Sequence, residues 1–279
     1  MLRYIEALLF PRKKINYNRL TAALQNKTVL ITGASFGIGE ALVRILSNTG
    51  AHLILAARTY EKLEVLQQEL SAHKIKITIL QADLRQETEV AKILQILLKL
   101  PGGIDVVVNN AGKSICRSIY ASLDRFHDFT RTIHLNYLAP VQLLLGLIPA
   151  LTQRKGQIIN ISATNVLLLP APHWAAYQAS KSAFDQWFRC ALPELHAAGV
   201  ATTSIYLPLV RTRMIEPTVF YNKMPAMKPT HAAAIIARAM YTRRRIFKPW
   251  WLFFATVPSA LGRRIWERGL PFFLKKKNK

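Results

Sequence analysis

Three observations predict an α/β fold in which a doubly wound parallel sheet is covered by helices on both faces. Short apolar runs alternate with helix-period segments from Thr28 onward, a glycine-rich turn directly follows the first run, and 51% of the 279 residues are hydrophobic. A chain of this length buries one large core, so a single domain with short tails is expected.

In chain order, VLIT, HLILAA, KITIL, DVVVN, QIINI and TTSIY read as strands, each a short apolar run rich in β-branched residues. Between them TYEKLEVLQQEL, TEVAKILQILLKL and SAFDQWFRCALPELHAA carry the helical period. Strands alternating with helices in this way form βαβ units and bury the sheet on both faces. The regularity fades after Tyr206, where residues 208–228 are rich in proline and apolar residues without a period, as in a substrate lid. The chain thus divides into an N-terminal amphipathic segment (1–26), an alternating sheet-and-helix body (27–242, with the lid at 208–228) and a C-terminal segment (243–279).

The formal net charge of +23 points to an anionic partner, and the mean hydropathy of +0.15 to more apolar surface than an aqueous enzyme usually shows. From Arg243 to Lys279 eleven Lys and Arg stand against the single Glu267, interleaved with Phe247, Trp250, Trp251, Phe253, Phe254, Trp266, Phe272 and Phe273. That mixture suits the interface of an anionic bilayer. No nucleic-acid motif accompanies it, so nucleic acid is not expected as a partner, and a homo-oligomer stays open. Cys116 and Cys190 lie far apart without a CxxC, which supports neither a metal site nor a disulfide framework and fits a reducing compartment. No run reaches the roughly 18 uninterrupted apolar residues of a spanning helix. The start MLRYIEALLF has its basic residues after the apolar run, the reverse of a secretory signal, and is expected to be retained. Together these features predict a cytoplasmic protein peripherally associated with a membrane. The final Lys276-Lys277-Asn278-Lys279 also matches a dilysine retrieval signal.

The turn Gly33-Ala34-Ser35-Phe36-Gly37-Ile38-Gly39 lets backbone N–H groups approach a pyrophosphate at the positive end of the following helix. Tyr177 and Lys181 lie four residues apart on one helical face. An ammonium about 4 Å from a phenol contributes roughly 4 kcal/mol at an effective dielectric near 20. That interaction predicts a tyrosine poised near neutral pH for general acid/base work.

TGASFGIG, Asn109-Asn110-Ala111-Gly112, Asp83-Leu84 and the YxxxK pair together resemble the short-chain dehydrogenase/reductase family over roughly residues 28–230. The resemblance implies a Rossmann fold and a nicotinamide cofactor held by Gly33, Ser35, Phe36, Gly37, Ile38, Gly39, Asn110, Ala111 and Gly112, with Asp83 and Leu84 at the adenine. It implies Tyr177 and Lys181 as catalytic and cofactor-binding residues, Asn136 in HLNYLAP holding a water that links Lys181 to solvent, and Thr212 at the nicotinamide carboxamide. A hydroxyl after the fifth strand completes the set. Counting forward from INIS reaches Ala163 and counting back from Tyr177 reaches Thr164, so the donor is Ser162 or Thr164, with Ser162 favoured. Where an NAD site carries an acid after the second strand, this chain has Arg58, whose planar fork suits a 2′-phosphate and predicts NADPH over NADH. The form PLVRTRMIEPT, with KSAFDQWFRCALPE and PTHAAAIIARAM, further resembles bacterial reductases of long-chain acyl-CoA and fatty aldehydes. A lipophilic carbonyl is therefore the expected substrate. A hydroxysteroid or retinol-type dehydrogenase would share the catalytic residues and differ in 208–228. A non-catalytic lipid-surface or scaffolding protein is the alternative of another class.

Overall fold

The computed structural model describes residues 2–73 and 75–277. Two short helices, α1 (Leu2–Leu9) and α2 (Tyr17–Leu24), precede the alternating body. That body runs β1 (Thr28–Thr32), α3 (Gly37–Leu46), β2 (His52–Ala57), α4 (Tyr60–Glu69), β3 (Lys76–Gln81), α5 (Glu87–Leu98) and β4 (Val106–Asn109). It continues with α6 (Phe126–Ile133), α7 (Ala139–Gln153), β5 (Gln157–Ala163), α8 (Ala175–Ala197), β6 (Ala201–Leu207), α9 (Pro229–Thr242) and β7 (Ile246–Phe247). Helices α10 (Leu252–Leu261) and α11 (Arg263–Lys277) close the described chain. The side chains of residues 273–277, and Asn278 and Lys279 of the dilysine-like end, lie outside the described residues.

All six strands expected from the sequence form, and β7 adds a seventh in the order β3-β2-β1-β4-β5-β6-β7, every pairing parallel. β1 and β4 are buried along their whole length, which is why they read as unbroken apolar runs rather than alternating ones. Alternate side chains enter two cores. Val29, Ile31, Leu53 and Leu55 pack with Leu42 and Leu46 of α3 and Ile235 and Ile236 of α9. Leu30, Ile54 and Ile158 pack on the other face with Ile93 of α5, Leu147 of α7 and Phe184 and Phe188 of α8.

The order reverses between β1 and β4, because β2 and β3 wind outward from β1 on one side and β5 to β7 from β4 on the other. In doubly wound sheets the carboxyl ends of the strands open into a crevice at such a point.

One helical stretch, Phe126–Gln153, was not marked by the strand and helix periods. It runs through α6, a π-helical turn (His134–Leu138) and α7. It holds no uninterrupted apolar run of 18 residues, but by length and composition it is long and apolar enough to cross a membrane, its most apolar 18-residue window having a mean hydropathy of 1.5. Its apolar residues are instead in use within the body, since Leu143, Leu144, Leu147 and Leu151 of α7 are buried in the second core.

Phe188, fully buried and stacked on Phe184, has no room to be replaced by solvent. Phe188→Ala should lower unfolding free energy by about 3–5 kcal/mol. Urea titration should show this as a lower midpoint with an unchanged slope.

Candidate active site

A cleft of about 500 Å³ lies above the carboxyl ends of β1 and β4. Its floor is the turn from β1 to α3. Gly33 and Gly37 take the left-handed backbone, with φ of +67° and +61°. A Cβ on Gly39 would fall 2.2 Å from the Gly33 carbonyl oxygen, and one on Gly33 2.9 Å from Cα of Ala111. Only glycine fits at these positions, and the chain comes close enough for its amides to face a ligand. Phe36, at the start of α3, caps no amide with its side chain, so the helix N-terminus keeps N–H groups for an anion.

The second wall is Asn110-Ala111-Gly112 after β4. Asn110 Nδ2 donates to the carbonyls of Thr32 (2.9 Å) and Gly33 (3.1 Å), while Thr32 Oγ1 accepts from the amides of Asn110 (3.1 Å) and Ala111 (3.0 Å). Gly112 lets α8 and the π turn come near, since a Cβ there would lie 3.3 Å from both Lys181 Nζ and Asn136 Oδ1. Asn136 is buried. It donates to the Lys113 carbonyl and Ser180 Oγ, both at 2.9 Å, and accepts from the Lys113 amide at 2.9 Å. It therefore ties β4, the π turn and α8 together from behind the cleft.

Of the residues singled out from the sequence, Gly33, Ser35, Phe36, Gly37, Ile38, Arg58, Leu84, Asn110, Ala111, Gly112, Ser162, Tyr177, Lys181 and Thr212 line this one cleft. Gly39 and Asn136 support it without lining it. Asp83 does not line it either: its carboxylate takes both oxygens to Arg85 Nε, at 2.9 and 3.0 Å, and Arg85 holds its pKa below the usual range. Arg58 is exposed, and no salt bridge to it occurs among the described residues, so its guanidinium is available to a ligand.

Tyr177 and Lys181 enter from α8. Lys181 is buried and donates to the Ile161 carbonyl at 3.1 Å. Burial pulls its pKa down to about 8, with Asp185 opposing, and burial pushes the Tyr177 phenol up. The sequence expectation that the ammonium draws the phenol toward neutrality is not met here. The ammonium is directed at a main-chain oxygen, and desolvation dominates both groups.

Both candidate hydroxyls line the cleft. Ser162 is buried at the end of β5 and donates to Asp185 Oδ1 at 3.3 Å, whereas Thr164 makes no side-chain hydrogen bond among the described residues. Asp185 also bonds the Tyr206 hydroxyl, and burial raises its carboxyl pKa. Sequence reading missed this buried network, although Asp185 lies four residues beyond Lys181 on the same helical face. It also missed Tyr221, a cleft residue packed on the Trp174 ring with centroids 5.8 Å apart, for which the irregular segment gave no signal. Segment 208–228 is closed at its base by the Met227 amide on the Leu209 carbonyl (2.8 Å) and the Arg211 amide on the Met227 carbonyl (2.9 Å). Its Arg213 lies over the Phe36 ring at 5.0 Å.

A glycine cradle at the switch point of a parallel sheet, with a tyrosine and a lysine facing it, defines an oxidoreductase of nicotinamide dinucleotides. The chain belongs to the short-chain dehydrogenase/reductase family: the profile of the short chain dehydrogenase family matches residues 27–219. It is 42% identical over 221 residues to a fatty acyl-CoA reductase of Acinetobacter baylyi, covering 79% of this chain and 75% of that one. With the same coverage it is 37% identical to a fatty acyl-CoA reductase of Mycobacterium tuberculosis. Its fold matches a short-chain dehydrogenase from Sphingobium yanoikuyae in complex with NADPH at a TM-score of 0.75 and 25% identity, over 88% of this chain and 94% of that one.

The burial of Lys181 has a thermodynamic signature. With a folded pKa of about 8 against 10.5 for the free side chain, the unfolded chain binds more protons between these values, so stability rises with pH across that window. The contribution is complete above 10.5 and is lost as pH falls through about 8. Lys181→Met should remove this slope and stabilise the fold at pH 7 by up to about 3 kcal/mol, measured by urea unfolding from pH 7 to 10.5.

Proposed function

We propose that the protein reduces a lipophilic carbonyl, a long-chain acyl-CoA or fatty aldehyde, with NADPH, and that Tyr177 supplies the proton. The observation that carries this reading is that Tyr177, Lys181 and the glycine cradle open into a single cleft with apolar walls at Leu209, Met214, Ile215 and Met224. The names of the relatives support the substrate class. In this reading Gly33 and Gly37 to Gly39 hold the pyrophosphate, Leu84 and Asp83 lie toward the adenine, Arg58 pairs with the 2′-phosphate and Thr212 meets the carboxamide.

When bound, the reduced nicotinamide supplies the hydride. Tyr177 then faces a carbonyl oxygen acquiring the basicity of an alkoxide, far above that of a phenolate. A phenol kept protonated by burial is in the right form to transfer its proton. Lys181 stabilises the phenolate left behind, since an ammonium at short range in a low-dielectric site favours the anion. Asn136 and Ser180 fix the helix turn that carries both. The hydroxyl that donates to the substrate oxygen is that of Ser162, favoured by its place at the end of β5, or of Thr164, since both line the cleft. A lipophilic substrate also fits the reading of 243–279 as a segment lying on an anionic membrane surface.

Tyr177→Phe should lower turnover of hexadecanal or hexadecanoyl-CoA by about 10²–10⁴-fold while NADPH binding stays within a few-fold. Retained turnover, or a faster reaction with a steroid ketone assayed alongside, would sink the assignment. Arg58→Asp replaces attraction to the 2′-phosphate by repulsion and should shift the preference toward NADH by about 1–3 kcal/mol. Equal binding of NADH and NADPH by the unaltered protein would show that Arg58 has no such role.

A further inference from the structure

Both ends of the chain are built the wrong way round for helices bathed only in water. On α1 the charged Glu6 is turned inward, where its carboxylate accepts from Arg211 and, at 3.1 Å, from the Ala226 amide. Tyr4 (83% exposed) and Leu8 (67% exposed) face outward with Ile5. α10, LFFATVPSAL, holds no charged residue, and Phe253, Phe254, Val257 and Leu261 are exposed on it. Single exposed apolar residues are ordinary, but contiguous ones mark an interaction surface.

The two ends are joined to each other and to the cleft. Trp250 Nε1 donates to the Leu8 carbonyl at 3.0 Å, and the Trp250 ring meets Phe254 edge-on at 6.2 Å. The Leu169 amide donates to Ser259 Oγ of α10 at 2.7 Å, and Trp266 Nε1 of α11 donates to the Pro170 carbonyl at 3.0 Å. These bonds fix the C-terminal helices to the loop after β5, whose Thr164 and Asn165 line the cleft. Glu6 fixes α1 to segment 208–228, which supplies another part of the cleft wall.

We infer that α1 and α10 form one docking surface for an anionic phospholipid bilayer at the mouth of the substrate cleft. This rests on the reading of 243–279 as a membrane-surface segment, and adds the N-terminal helix and the lid to the same contact. Charge selects the occupant. Arg264 and Arg268 of α11 are exposed, and the segment carries eleven basic residues against Glu267. A second copy of the chain would bring the same charge and be repelled, whereas anionic headgroups are attracted while the aromatic and aliphatic side chains enter beneath them. A lipophilic substrate dissolved in the bilayer then reaches the cleft without crossing water.

The test is sedimentation of the full chain with phosphatidylcholine–phosphatidylserine vesicles, comparing wild type, Y4S/L8S, F253S/F254S and R264E/R268E. Each apolar pair should lower partitioning by roughly tenfold and raise KM for vesicle-borne hexadecanal, while kcat and KM for a short water-soluble aldehyde stay unchanged. Loss in R264E/R268E with no change in Y4S/L8S overturns the joint surface and leaves the C-terminal reading standing. Unchanged binding by all variants overturns both, and a shift from dimer to monomer in Y4S/L8S without loss of vesicle binding overturns the joint surface. Melting temperature and NADPH binding report whether each variant is folded. Should Y4S/L8S fail there, Tyr4→Cys in a C116S/C190S background carries an environment-sensitive dye instead. A blue shift of that dye on vesicles supports the surface, and no shift overturns it.

Discussion

The tie between Thr32 and Asn110 is what the rest of the site depends on. β1 and β4 are neighbours in the sheet, but beyond their last paired residues the chain leaves in opposite directions, and main-chain ladder bonds cannot follow. Thr32 Oγ1 donates to the Val108 carbonyl and accepts from two amides beyond β4, while Asn110 returns two bonds to the end of β1. Each such bond contributes only about 1 kcal/mol net. Together they set the distance between the glycine cradle on one side and Gly112, with Lys181 and Asn136 behind it, on the other.

Behind that tie, α8 carries charges in a place where water would otherwise hold them. Lys181 and Asp185 are both buried one turn apart; Asp185 draws Lys181 toward its charged form less than burial moves it away, and on Asp185 itself burial outweighs the bonds from Tyr206 and Ser162. Ser162 and Tyr206 hold the Asp185 carboxylate from two adjacent strands, paired in register. The helix therefore has a fixed rotation about its axis, and with it the direction in which the Tyr177 phenol enters the cleft. Groups arranged for chemistry are here less comfortable than the apolar residues that could replace them, as is usual of active sites.

Six of the seven strands were legible because a strand buried on both faces must be apolar at nearly every position, a pattern that survives in the bare sequence. The cofactor turn and the Tyr177–Lys181 pair were legible because their spacing is fixed by a single helix or a single turn. What escaped depends on partners distant in sequence. Nothing local to Lys181 says that its ammonium meets the Ile161 carbonyl, so the direction of the phenol's shift was read wrongly from spacing alone. Ser162 was favoured by its place after β5, while the Asp185 carboxylate that engages it lies 23 residues further on. α1 was recognisably amphipathic, but only its packing shows that the charged side faces in. Helix Phe126–Gln153 looks like a spanning segment by composition because a helix that serves a core resembles one that serves a bilayer.

The π-helical turn at His134–Leu138 makes α6 and α7 parts of one rod with two unrelated faces. α6 addresses α8, and α7 addresses α5 and sends its buried leucines into the second core with Leu30 and Ile158. One residue corresponds to about 100° of rotation in an ordinary helix, so shortening the wide turn by a single residue would swing Leu143, Leu147 and Leu151 away from the core, or else pull Asn136 off Lys113 and Ser180. The turn works as a phase adjuster between chemistry and packing. It implies that the length of this helix, more than the identity of most residues along it, is what the chain can least afford to vary.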